Sequence, residues 1–236
     1  MNKILHKADT RGQADYGWLK PRYSFSFAGY YNPERIHFGM LRVLNDDWIG
    51  PGGGFDTHPH DNMEIVTIPL TGSLEHKDSM GHTSVITAGE VQVMSAGTGI
   101  THSEYNHSET EPLTLLQIWV FPREKGVKPR YDQKTFDMEA VTNGFVNLVS
   151  PEQDGNNLWL HQDAWFSLGR FDAGMEAEYN LHDAANGVYL FVIDGAIETA
   201  GENLGRRDAI GIWDTGSVKV RITGASQLLL IEVPMK

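Results

Sequence analysis

Apolar residues in this chain come in short runs rich in β-branched and aromatic side chains, closed off by Gly, Pro, Asn or Asp, and helical spacing is scarce. That pattern restricts the chain to strands and tight turns, as in a β-sandwich or barrel. The clearest strand candidates are 38–43, 64–69, 89–94, 113–121, 189–193 and 227–233, with turns at Leu70-Thr71-Gly72-Ser73 and Asp194-Gly195. Residues 121–130 are polar and include Pro122 and Pro129, which predicts a linker. The expected architecture is therefore all-β in two domains, residues 1–122 and 123–236, and a chain of 236 residues is long enough for both.

Two clusters on these expected strands carry chemistry: Thr57-His58-Pro59-His60 and Thr101-His102-Ser103-Glu104. Within each, the candidate ligands are two residues apart, and strand side chains alternate faces with period two, so both members of a pair project to the same side. Convergence of His58, His60, His102 and Glu104 would give three imidazoles and one carboxylate, a set suited to a divalent transition metal. Four ligands leave coordination positions open for water, substrate or dioxygen.

A faint internal repeat aligns 64–72 with 187–195, which sets Leu181 opposite His58 and Asp183 opposite His60. The second copy thus lacks the imidazoles, and the second domain is expected to hold no metal. Composition narrows function further. The chain has 19 basic against 31 acidic residues, a net charge of −12, which disfavours direct contact with nucleic acid or an anionic membrane. With no Cys, thiolate zinc sites and disulfides are excluded. The first nine residues lack the apolar core of a signal peptide and no apolar run approaches membrane-spanning length, so a soluble cytoplasmic protein is expected.

Gly52, His58, His60, Glu64 and Gly72, followed by Gly89, Gly97 and His102, resemble the two-motif signature of the cupin superfamily, small β-barrels with a metal inside. The closer resemblance is to the pirin family, carried by His58-Pro59-His60, the segment 74–82 and the segment 94–104, with Trp18, Phe25-Ser26-Phe27-Ala28 and Asn45-Asp46-Asp47 also similar. Ser95 in place of the usual cupin proline, and four residues between Gly97 and His102, are departures that pirins share. The resemblance implies a bicupin of two jelly-roll barrels, with the metal held by His58, His60, His102 and Glu104 in the first.

It also implies quercetin 2,3-dioxygenase activity, in which a flavonol ring is opened by dioxygen with loss of carbon monoxide. A small aromatic substrate and dioxygen are then the expected partners, with Glu104 accepting the substrate's hydroxyl proton. Iron(II) is the first expectation for the metal, and zinc, manganese, cobalt, nickel or copper stay open. The alternative is a metal-dependent, redox-responsive pirin that binds a protein partner and performs no catalysis.

Other residues carry smaller expectations. Glu64 is expected to hydrogen-bond a ligand imidazole or a bound water, or else to face solvent at the rim. His76 and His82 are expected to stabilise the 78–81 turn. Gly52-Gly53-Gly54 offers either a backbone cradle for substrate or a flexible loop. Phe25, Phe27, Tyr30 and Tyr31 either line an aromatic pocket or pack in the core as a half-buried strand, and core packing is the expectation.

Overall fold

In the computed structural model, which describes residues 1–137, 141–153 and 155–236, the chain is built almost wholly of strands. In order these are β1 (Asn2–His6), β2 (Gly12–Gln13), β3 (Leu19–Tyr23), β4 (Leu41–Ile49), β5 (Gly54–His60), β6 (Glu64–Thr71), β7 (Ser73–Asp78), β8 (Thr83–Thr87), β9 (Glu90–Ser95) and β10 (Ile100–Asn106). They continue as β11 (Leu113–Val120), β12 (Arg130–Thr135), β13 (Gly144–Ser150), β14 (Leu158–Trp159), β15 (Trp165–Phe171), β16 (Glu176–Asn180), β17 (Asn186–Thr199), β18 (Glu202–Leu204), β19 (Ala209–Trp213) and β20 (Ser217–Pro234). No helix among the described residues is long and apolar enough to cross a membrane.

Three sheets result. A seven-stranded sheet runs β12-β9-β6-β11-β4-β3-β2, a four-stranded sheet runs β5-β10-β7-β8, and a third runs β1-β19-β17-β20-β15-β13-β14, with β16 on β20 and β18 on β17. The four-stranded sheet packs on one face of the seven-stranded sheet, where Leu74 and Ile86 meet Leu19, Ile49, Leu113 and Leu115. The opposite face supplies Leu44, Val66, Ile68, Leu116 and Ile118 to a larger core shared with Phe166, Tyr189, Phe191, Leu229 and Ile231 of the third sheet. The long strands of that sheet serve two cores. Val188, Leu190 and Val192 face inward in the carboxy-terminal half, while Tyr189 and Phe191 face the amino-terminal half. Burial on both faces is why these strands read as unbroken apolar runs rather than as alternation.

The 70–73 turn forms as expected, with Gly72 at φ 74° between β6 and β7. Asp194-Gly195 does not make a hairpin turn. It lies inside β17, where the pairing with β20 shifts register around Asp194 and Gly195 is at φ 91°, so the pair bends one long strand rather than ending it. Two strands cross the expected division at residue 122: β1 pairs with β19, and β12 turns back onto β9.

Candidate metal centre

The centre is built on β5 and β10, which pair antiparallel with His58 opposite His102 and His60 opposite Ile100. Directly opposed residues share a face, so His58, His60 and His102 all point between the two amino-terminal sheets. A bulge then sets Glu104 opposite Phe55, one residue out of simple register on β5, which keeps Phe55 on the same inner side. Two glycines permit this packing. A side chain at Gly54 would overlap the ring of Tyr105 and the Glu104 carbonyl, and at Gly97, which sits at φ 50°, it would strike the Val127 carbonyl.

The ring centroids of His58 and His102 are 4.5 Å apart, those of His60 and His102 4.8 Å, and those of His58 and His60 4.9 Å. One nitrogen from each ring lies within 4.8 Å of the others, so the three donors converge on one point. Glu104 stands at the edge of this group of three, its Oε1 4.0 Å from His102 Nδ1. His102 is buried with neither ring nitrogen hydrogen-bonded, and Glu104 Oε1 is buried and equally unpartnered. Donor atoms buried without partners are costly, and an ion is the group that would satisfy this set together. The residues present therefore fit a divalent transition metal.

Burial and the neighbouring His58, His60 and His76 lower His102 to about 2, and burial and His58 lower His60 to about 4, so both rings are neutral with lone pairs to give. His58 Nδ1 donates to the Asp56 carbonyl at 2.7 Å when its proton sits there, which leaves Nε2 free to face the group. Burial pushes Glu104 up to about 7, partly opposed by Gln117, whose Nε2 donates to Glu104 Oε2 at 3.0 Å.

Gln117 is a residue that strand spacing did not single out. It belongs to a row of polar side chains crossing the seven-stranded sheet in register: Gln92, Thr67, Gln117, Asn45 and Tyr23. Thr67 Oγ1 donates to Gln117 Oε1 at 2.8 Å, which fixes the amide for its bond to Glu104. For Gln117 the signal was present in the sequence, as a lone polar residue within Leu115-Leu116-Gln117-Ile118-Trp119.

Beside the imidazoles lies a cavity of about 430 Å³, walled by Trp18, Phe27, Phe55 and Trp119 and floored by Asn45, Asp47 and Gln117. His60 meets Trp119 edge to face at 4.9 Å, and Phe55 meets Trp18 likewise at 5.1 Å. The four aromatics of the Phe25 region divide their roles. Phe25 is core as expected, Phe27 lines the cavity instead, Tyr30 stacks on Tyr23, and Tyr31 is exposed.

Three further expectations are corrected. Glu64 neither supports a ligand nor faces solvent: it points to the opposite face of β6, fully buried, where Oε2 accepts from Ser95 Oγ at 2.7 Å and from the His161 amide at 3.2 Å. His82 does stabilise its turn through Asp78 Oδ2 at 2.8 Å, but His76 is buried behind His102, at 5.2 Å, and stacks on Tyr131. The Gly52-Gly53-Gly54 backbone is no cradle, because the Gly52 and Gly53 amides donate to Ser108 and Gly50 carbonyls.

Comparison with known proteins bears on this arrangement. A family model described as Pirin matches residues 5–120, and one described as Quercetinase C-terminal cupin domain matches residues 147–233. The chain is 44% identical over 232 residues to a quercetin 2,3-dioxygenase of Escherichia coli strain K12, covering 98% of each, and 39% identical over 225 residues to a pirin-like protein of Caulobacter vibrioides, covering 95% of this chain and 96% of that one. Its fold superposes on the crystal structure of the Escherichia coli bacterial pirin YhhW in complex with nickel(II) with a TM-score of 0.93, at 41% identity and 99% coverage of both chains. The expected all-β, two-domain cupin architecture holds.

Proposed function

Because the chain belongs to the pirin family, we propose that it is a divalent-metal-dependent dioxygenase of the quercetin 2,3-dioxygenase type, with His58, His60, His102 and Glu104 holding the metal. The observation that carries this reading is the juxtaposition of unpartnered donor atoms on His102 and Glu104 with an aromatic cavity large enough for a planar polyphenol. Iron(II) is the metal we assign, on the strength of a mixed nitrogen and oxygen ligand set with positions to spare. When bound, such a metal supplies Lewis acidity toward an enolate oxygen and a site where dioxygen chemistry can begin. With it goes a division of labour, residues 1–122 carrying the centre and residues 123–236 forming a cupin-like domain without ligands.

The chain's own residues do the rest. Trp18, Phe27, Phe55 and Trp119 hold a flat aromatic ligand and keep water from it. Glu104 Oε1 faces His102 and would take the substrate's hydroxyl proton as its hold on the metal loosens, while Gln117 holds Oε2 still. Asp56 fixes the orientation of His58.

Elemental analysis of the purified protein, then aerobic incubation with quercetin while its visible absorbance is followed, tests the reading. The expected result is close to one metal per chain, loss of absorbance and release of carbon monoxide. A metal-loaded protein that leaves quercetin unchanged would overturn it in favour of a metal-dependent regulator with a protein partner.

A further inference from the structure

Two neighbouring aspartates on β4 have opposite fates. Asp46 faces the third sheet, where Arg11 approaches it at 3.3 Å and Arg207 at 3.5 Å. Asp47 faces the cavity instead, only 6% exposed, with Oδ1 buried and lacking any hydrogen-bond partner. The charged groups that act on it, Asp46 and Glu104, are both acidic. Two residues earlier, on the same face, Asn45 is 3% exposed and its Oδ1 is likewise unpartnered. The residues opposite them give no relief. Asp47 stands between Pro21 and Leu115, neither with a side-chain donor; of the two residues flanking Asn45, the Gln117 amide is engaged with Thr67 and Glu104, and the Tyr23 hydroxyl makes no bond to Asn45 Oδ1.

Buried acceptors in native proteins are paired, and those left over in a cavity mark where a ligand's polar groups are received. We propose that Asn45 and Asp47 form a subsite that receives hydroxyl groups of a polyphenolic ligand other than those it presents to the metal. The ligand class rests on the flavonol reading above; the subsite deepens it by saying which part of the molecule is read and by what. A phenolic hydroxyl supplies the missing donor to each oxygen, and the surrounding apolar and aromatic walls take the ring that carries it. Burial and the acidic Asp46 and Glu104 near it raise the Asp47 carboxyl above the usual carboxylate range. A polar pair in an apolar pocket discriminates strongly against a ligand lacking the matching hydroxyl, because the pair is then left unsatisfied.

Anaerobic titration of the metal-loaded protein with quercetin and with 3-hydroxyflavone tests this, read by quenching of the cavity tryptophans Trp18 and Trp119. Both ligands carry the 3-hydroxyl and carbonyl, and only quercetin carries further ring hydroxyls. Asp47→Val is expected to weaken quercetin by about ten-fold and 3-hydroxyflavone by less than about two-fold. It should also raise Tm, since the unpaired carboxyl costs stability in the free protein. Asp47→Asn, which keeps shape and a hydrogen-bonding amide, should weaken quercetin by roughly three-fold and carries the test if the valine variant does not fold. Equal losses for the two ligands, or no loss for either, overturn the subsite and leave the flavonol reading standing. Failure of the unsubstituted protein to bind either flavonol overturns both.

Discussion

Each half of the molecule buries an acidic side chain on an inner strand, Glu104 on β10 and Glu232 on β20, and the two are treated in opposite ways. In the carboxy-terminal half Glu232 is fully buried and saturated: it accepts from Tyr179 Oη at 2.9 Å, the His182 amide at 2.9 Å, Asn186 Nδ2 at 2.9 Å and the Asp183 amide at 3.2 Å, with His182 Nδ1 also at 2.9 Å. His182 itself lies flat on Trp165 at 4.3 Å. In the amino-terminal half Glu104 accepts one bond and keeps an oxygen free, His102 makes none, and Asp47 has no donor at Oδ1. A saturated carboxylate pins its 182–186 loop and has nothing left to offer, whereas an unsaturated cluster stores binding capacity at a cost in stability. The two halves share strand character, but among the described residues only the amino-terminal one gathers unpartnered imidazole and carboxylate atoms into a single cluster, on His102 and Glu104.

The sharpest way to break this contrast is to remove a ligand. His102→Ala should drop metal content below about a tenth of the original, since even outer partners of metal ligands change affinity 10–100-fold, while the fold persists; elemental analysis with circular dichroism checks both. Glu232→Ala should do the reverse, costing about 3–5 kcal/mol in urea unfolding because several buried donors lose their acceptor, with metal content unchanged. If that variant lost metal, the halves would not be independent. Gln117→Leu sits between the two: freeing Glu104 Oε2 should weaken metal binding about 10–100-fold, measured by competition with a chelator.

The smallest effect is on pH dependence, at the face where the halves meet. Burial, opposed by the bonds from Ser95 and His161 and by Arg130, raises Glu64 from 4.5 to about 7. A raised carboxyl favours the protonated folded state, so its contribution is full below the unfolded value and is lost as pH rises through about 7. Stability should therefore fall between about pH 5 and 8 by on the order of 2 kcal/mol from this group. Glu64→Gln should flatten that slope in unfolding titrations; an unchanged slope would show that Glu64 does not titrate in this range.

Much of the amino-terminal cluster was legible because it depends on local geometry alone. His58 with His60, and His102 with Glu104, share a face through strand alternation, and Gly72 marks its turn for lack of a side chain at φ 74°. Glu64 was not legible. Its strand is buried on both faces and reads Glu64-Ile65-Val66-Thr67-Ile68, so no alternation says which side looks at the metal. The same holds for Asp46 and Asp47, which are alike in sequence and separated only by which sheet each one faces.

What the residue order settled, then, was the all-β character, the short turns and the placing of His58 with His60 and of His102 with Glu104 on common strand faces, all consequences of period-two geometry and turn sterics acting over a few residues. What only the tertiary structure decided was the stacking of sheets: that β1 joins the far sheet and β12 the near one, that Gln117 reaches Glu104, and that Asn45 and Asp47 border the cavity. These depend on contacts between strands far apart in the chain, whose partners and facing sides emerge only when the apolar faces are buried against one another.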